Sequence, residues 1–249
     1  MAASLRPPRE RAALGLTWAI RGLAGFLVLL LAMAVALLAF VPLYNLPSPS
    51  LYQQGQLENS LAALSLILLA LGAASGLAYA VGLAGLYGPR HELGPVHVAS
   101  VGETTLWLAV TLILSGATVF VPSLTGPLLT FPGIGYPPPS WSWSLGVVVA
   151  GLRAIFAGLT LYYAVQGLTQ EDARVRLLVG MTLGVVGAIV WSGLSAYASA
   201  VGGMSMDSLL PFLAGIVAGL GTSAISLGLF LAVYREIRRE LRAGPPLAP

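Results

Sequence analysis

Arg153 is the residue of this 249-residue chain whose chemistry is most at odds with its surroundings. It is the one charged residue in SLGVVVAGLRAIFAGLTLYY, residues 144–163, and it stands near the middle. A guanidinium remains charged at physiological pH and binds oxyanions through paired hydrogen bonds. Insertion scales assign about 2.5–3.5 kcal/mol to an arginine at the centre of a membrane span, so such a residue is a hypothesis for function.

The spacing of small residues around Arg153 predicts the direction in which it points. Residues four, three, four, three and four positions apart form one stripe along a helix. Every member of this stripe except Arg153 is small, which is typical of a face that packs against another helix. The opposite face carries Val148, Leu152, Ile155 and Leu159, which suit lipid. The stripe consists of Gly146, Ala150, Arg153, Ala157, Thr160 and Ala164.

Hydroxyl side chains on two later apolar segments predict a polar pocket around Arg153. Ser192, Ser195 and Ser199 share one helical face, and counting inward from Val201 places Ser192 at the depth of Arg153. The apolar segments offer no Asp or Glu at that depth, so an anion could bind there. The alternative is that Arg153 reaches Asp207 or interfacial water and only orients its helix. The hypothetical binding residues are Arg153, Ser192, Ser195, Ser199 and Thr222.

Other motifs predict local structure rather than catalysis. His91 and His97 in HELGPVH are separated by the helix-breaking Gly94–Pro95 pair, so we expect turn residues at the membrane interface and neither a metal site nor a haem site. Ser100 and Glu103 fit a capping box that begins the third span, and TQED, residues 169–172, suggests a weaker cap before the fifth. No nucleophile–base pair is visible and the chain has no Cys, so we expect neither an enzyme nor a cofactor.

Composition and hydropathy predict the fold class, an all-α polytopic membrane protein. Charged residues make up 8% of the chain, hydrophobic residues 57%, and the mean hydropathy is +0.88. A soluble chain of this length could not hide so much apolar surface from water. Apolar runs long enough to cross the hydrocarbon predict one six-helix bundle over residues 1–249. The predicted spans are residues 22–41, 60–87, 101–121, 145–165, 177–201 and 209–234.

Arginine positions predict the orientation. Eleven of the twelve arginines precede the first span, open it, lie between spans two and three or four and five, or follow the sixth. The positive-inside rule therefore predicts a cell-membrane protein with both termini cytoplasmic. The predicted outer loops, 42–59 and 122–144, are rich in Pro and aromatic residues. The basic residues lie beside apolar spans, so we expect no nucleic-acid partner.

The segment GLYGPRHELGPVHVASVGETTLW, Gly85 to Trp107, resembles a turn found in uncharacterised multi-pass archaeal membrane proteins. In that turn an apolar helix is followed by a short Arg/His/Glu-Gly-Pro linker and a capped helix. The resemblance covers under a tenth of the chain, implies no activity and transfers no site residue.

Two functional classes remain open from the sequence. Abundant small-residue pairs and scarce polar lining favour a structural or accessory membrane subunit, which would contact lipid and other subunits or a second copy of itself. The alternative is a transporter or channel for a small anion or amphiphile that uses Arg153. A polar path reaching both membrane faces would favour transport, and a dry bundle with an exposed small-residue face would favour the accessory role.

Overall fold

The computed structural model describes residues 7–44, 51–120, 140–200 and 213–243, and within these ranges it contains helices and no strands. A 3₁₀ turn, Arg90–Glu92, joins the second and third helices. The last helix is continuous from residue 213 and contains a π-helical segment, Ile216–Leu220. The helices are α1 (Pro8–Tyr44), α2 (Leu51–Tyr87), α3 (Pro95–Phe120), α4 (Ser140–Gln166), α5 (Glu171–Ala200) and α6 (213–243, with Gly221–Ala243 as its regular part).

All six helices are long and apolar enough to cross a membrane. This confirms the all-α, six-span class predicted from hydropathy. The protein is therefore an integral, multi-pass membrane protein. A helix satisfies its own backbone hydrogen bonds, which is why apolar runs of this length adopt it in lipid.

Glycine allows α1 and α2 to pack closely in antiparallel register. Gly15 lies against Gly85, and Gly22 lies against the backbone of Tyr79. A Cβ atom added at Gly22 would come within 2.6 Å of the Tyr79 nitrogen, so no larger residue fits without a backbone shift. Residues with higher numbers on α1 contact residues with lower numbers on α2, so the two helices run antiparallel.

The remaining helices form a row of neighbours in the order α2, α1, α6, α5, α4, α3. The contacts of Gly184 with Ser226 and of Trp191 with Gly219 show that α5 runs antiparallel to α6. The contacts of His97 with Gly167 and of Trp107 with Phe156 show the same for α3 and α4. The two described chain ends, the turn from α2 to α3 and the turn from α4 to α5 consequently lie together. We call this the arginine end, because ten of the eleven arginines among the described residues belong to the segments that meet or end there.

Salt bridges confirm that these segments meet. Arg11 at the start of α1 contacts Glu92 at 2.9 Å, and Arg176 near the start of α5 contacts Glu236 near the end of α6 at 2.7 Å. The buried apolar core lies at the same end. Its largest fully buried side chains include Leu16, Leu23, Leu86, Leu177, Phe230 and Tyr234.

Several helices extend beyond the predicted spans because hydropathy detects spans rather than helices. α2 begins at Leu51, nine residues before the predicted span, since LYQQGQLEN is polar but compatible with a helix. α1 continues through Pro42 to Tyr44, because a proline near a helix end removes one backbone donor without forbidding helical φ. The described parts of the predicted loop 42–59, residues 42–44 and 51–59, are therefore helical. Of the predicted loop 122–144, residues 140–144 belong to α4 and the rest lies outside the described residues.

The predicted capping box is wrong. α3 begins at Pro95, after Gly94 turns the chain with a φ of 108°. Proline lacks a backbone N–H and has helical φ, so it suits the first helical position. The Ser100 hydroxyl donates to the His97 carbonyl at 3.1 Å, and Glu103 is exposed in the helix interior. Thr169 likewise donates to the Gln166 carbonyl at the end of α4 rather than capping α5.

Candidate functional site

The structure confirms the predicted orientation of α4. Gly146, Thr160 and Ala164 on the small-residue stripe are buried, and Arg153 between them is half-buried. Val148 on the opposite face has 56% of its surface exposed. Gly151 packs on Ile189 and Gly158 on Met181, so the contact with α5 is made by two glycines outside the stripe. Arg153 thus lies on the flank of α4 that faces away from lipid.

The same contacts set the depth of Arg153 relative to α5. Gly151 lies beside Ile189 and Gly158 beside Met181, so Arg153 is level with residues 186 and 187. Ser192 is about five residues, or about 8 Å, farther from the arginine end. The prediction that Ser192 shares the depth of Arg153 is therefore wrong. It failed because the register between α4 and α5 depends on the contacts of Gly151 and Gly158, which counting from Val201 could not supply.

Thr222 is the predicted pocket residue that does share this depth. Gly187 on α5 packs against Thr222 and Ser223 on α6, and a Cβ added at Gly187 would lie 2.6 Å from the Thr222 hydroxyl oxygen. That hydroxyl donates within its own helix, with the Ala218 carbonyl at 2.6 Å and the Gly219 carbonyl at 3.0 Å. Ser192 is buried, with 2% of its surface exposed. The side chains of Ser195 and Ser199, and Asp207, lie outside the described residues.

A tyrosine pair that the sequence analysis missed links three helices near the arginine end. The Tyr234 hydroxyl on α6 donates to the Leu161 carbonyl on α4 at 2.8 Å. Because that hydroxyl has one hydrogen, the Tyr79 hydroxyl on α2, at 3.2 Å, must donate to the Tyr234 oxygen. Both tyrosines are buried. The available signal was a single tyrosine on an otherwise small or apolar face of each helix.

His97 is the second buried polar residue that the sequence misplaced. It was predicted to be an interfacial turn residue, but it lies inside α3 and is fully buried against Gly167, where only glycine leaves room for it. The backbone of Leu86 is near its ring, although no ring nitrogen meets the geometry of a hydrogen bond to the described residues. His91 is exposed in the 3₁₀ turn. Among the described residues no group of three potential ligands gathers to hold a metal.

Large apolar side chains fill the centre of the described bundle at the arginine end. Leu16, Phe230 and Tyr234 are fully buried there and belong to one apolar cluster. Away from that end, Ser226 on α6 donates to the Gly180 carbonyl on α5 at 2.6 Å, so this hydroxyl serves helix packing.

Comparison with known proteins does not assign this chain to a family. No protein-family model, curated protein or solved structure matches this chain. The resemblance of residues 85–107 to archaeal membrane proteins therefore stays a prediction, and function must be argued from the residues.

Proposed function

We propose that this protein is a structural or accessory subunit of a membrane complex and that α2 carries its docking face. The observation behind this proposal is the position of α2 at one edge of the row, where α1 is its main neighbour among the described helices. Ala73, Leu77, Ala80 and Ala84 are spaced four, three and four residues apart and are all exposed. They lie opposite the glycines that contact α1.

Small residues on an exposed membrane face favour a partner helix over lipid. Apolar side chains gain nothing from burial against protein when lipid tails surround them, so close backbone approach drives helix association. The glycine pairs noted from the sequence are already used within the chain: Gly180 and Gly184 pack on α6, and Gly215 and Gly219 on α5. The alanines of α2 have no such neighbour among the described helices, which leaves them for another subunit.

The packing of the arginine end also supports an accessory role. A transporter needs a route to both membrane faces in at least one conformation. Here Phe230, Tyr234 and the residues around them close the described bundle with large buried side chains.

Site-specific crosslinking in native membranes tests the proposal. The sequence contains no Cys, so Ala80→Cys supplies one thiol for a benzophenone label. Val81→Cys is the matched control, since it has nearly the same depth but points about 100° away. We expect a discrete protein adduct from position 80, identified by mass spectrometry, and mainly lipid adducts from position 81.

The outcomes separate the classes of function. Ala80→Leu should abolish the adduct formed by a label at position 84 while leaving thermal unfolding unchanged. Lipid adducts alone at both positions would contradict the accessory role. An adduct of twice the chain's mass would show that α2 contacts a second copy of this protein rather than another subunit.

Anion or amphiphile transport is the second candidate, and the observation that favours it is the half-buried Arg153 on the inward flank of α4. Ala154 and Ala157 beside it are also only partly buried. Arg153→Lys keeps the charge but loses the two-pronged grip on an oxyanion. If the protein transports anions, proteoliposomes should show flux that falls partially with Arg153→Lys and completely with Arg153→Leu. Equal flux in all three proteins, or none in the parent, would remove this candidate.

We further infer that both termini are cytoplasmic in the cell membrane, because the arginine end carries the positive charge that is retained inside. Gly133→Cys in the predicted outer loop should react with an impermeant maleimide in intact cells. Reaction only after permeabilisation would reverse the orientation.

A further inference from the structure

The last two turns of α6 separate their positive and negative charges onto different sides. Four arginines occupy positions i, i+3, i+4 and i+7, which form a single stripe on a helix. Glu236 and Glu240 lie on another side of the same turns, toward α5. The arginine stripe consists of Arg235, Arg238, Arg239 and Arg242.

Contacts with α5 hold the two glutamates away from the stripe. Glu236 pairs with Arg176 at 2.7 Å, and Glu240 accepts a hydrogen bond from Gln170 at 3.5 Å. Both carboxylates therefore point toward α5 and away from the arginines, so they offset little of the positive charge of the stripe.

Buried side chains fix the rotation of this part of α6. Ile237 and Leu241 belong to the apolar core and are nearly fully buried. Arg235, Arg239 and Arg242 are exposed, and Arg238 is half-buried. The helix therefore cannot turn its arginines inward without removing Ile237 and Leu241 from the core.

The stripe lies at the depth of the lipid headgroups. It begins immediately after Tyr234, where the apolar part of α6 ends, and its eight residues, Arg235 to Arg242, span about 10 Å along the helix. The headgroup layer adds about 5–8 Å on each side of the hydrocarbon. Arg21, whose guanidinium lies 4.7 Å from the centroid of the Trp18 ring, has the same depth, because its neighbour Gly22 packs on Tyr79. An exposed Trp–Arg pair is typical of the membrane interface.

We propose that the arginine stripe of α6 is a binding surface for the headgroups of anionic phospholipids. Guanidinium groups bind phosphate oxygens in pairs. Basic clusters directly beside a membrane span attract anionic lipid, with an effect of about five-fold in affinity for each residue. The acceptor is a lipid rather than a soluble anion because the stripe begins where the apolar part of α6 ends and continues the exposed surface of that part of the helix.

Binding of a fluorescent short-chain phosphatidylglycerol to the full-length protein in uncharged detergent tests this surface. Arg235→Gln combined with Arg239→Gln should weaken binding about 25-fold. The matched control combines Arg90→Gln with Arg174→Gln, which removes equal charge at the same end. Arg90 donates to the Tyr87 carbonyl and Arg174 contacts Thr169 and Gln166, so these arginines are held within the fold. We expect the control to bind within two-fold of the parent.

Three results would overturn the proposal. Equal loss in the control pair would mean that total charge, rather than the stripe, attracts lipid. Displacement of the lipid by 10 mM inorganic phosphate would identify a soluble-anion site. Equal binding of the phosphatidylcholine analogue would remove the role of headgroup charge. Thermal unfolding of each variant must lie within 2 °C of the parent. Arg239→Lys, which keeps the charge, should retain most of the affinity, because the Gln variants are expected to lose binding through lost charge rather than through misfolding.

Discussion

The arginine end and the opposite half of this bundle are held together by different residues. At the arginine end the buried positions carry Leu16, Phe230, Tyr234 and other large side chains, together with glycines in close contact such as Gly22 on Tyr79. More than about two helical turns away from the arginine end, the large apolar side chains face outward. Leu66 and Ile113, for example, have 67% and 70% of their surfaces exposed. With the exception of Leu220, the buried described residues there are glycines and serines: Gly146, Gly151, Gly187, Ser192, Gly215, Gly219 and Ser226.

The contrast reflects two solvents. Near water and headgroups, burying a large apolar side chain stabilises the fold through the hydrophobic effect. Within hydrocarbon that gain disappears, because lipid is as apolar as leucine, and helices associate through close backbone contact instead. A protein that must be stable in both environments therefore buries large side chains within the bundle at one end and exposes them on its surface in the other half.

Overpacking the α1–α2 contact should give the largest difference between the two regions. Gly22→Ala places a Cβ within 2.6 Å of the Tyr79 backbone, so we expect a loss of about 1–3 kcal/mol in the free energy of unfolding. The measurement is denaturation in mixed SDS and dodecyl maltoside micelles. Gly72→Ala is the control on the same interface, since its Cβ would meet only the Leu29 side chain at 3.5 Å. An equal loss in the control would show that the loss does not come from the close backbone contact at Gly22.

Removing the Tyr234 hydroxyl should have an intermediate effect. Tyr234→Phe leaves the Leu161 carbonyl without its donor and the Tyr79 hydroxyl without its acceptor, so we expect a loss of about 1–2 kcal/mol. Tyr79→Phe removes only one of these bonds and should cost less. The double variant should then cost less than the sum of the two, as expected for residues in one network. Additive losses would show that the two hydroxyls act independently.

Breaking an exposed ion pair at the same end should have the smallest effect. Arg176→Gln removes the contact with Glu236, but both side chains are more than two-fifths exposed, so solvent screens the pair. We expect a change of about 0.2–1 kcal/mol that diminishes in 1 M salt. A change as large as that of Tyr234→Phe would mean that charge pairs, rather than buried side chains, hold the arginine end together.

Local sequence patterns predicted faces better than they predicted neighbours. The small-residue stripe through Arg153 gave the correct inward flank of α4, because helical periodicity is a property of one segment. The Ser192 depth was wrong, because the register between α4 and α5 depends on where Gly151 and Gly158 fit against Ile189 and Met181. The capping box at Ser100 failed for a related reason. Pro95 had already begun the helix, so the first-turn donors lay upstream of it.

The sequence by itself determined that this chain is a six-span helical membrane protein, because apolar length and the cost of unsatisfied backbone groups in lipid leave no other structure. It also determined which helix faces carry small residues. Only the tertiary structure decided which faces meet, that Tyr79 and Tyr234 share a hydrogen bond, and that His97 is buried against Gly167. Those outcomes depend on contacts between residues far apart in the chain, where a shift of one helical turn brings different side chains together, and no single segment encodes that shift.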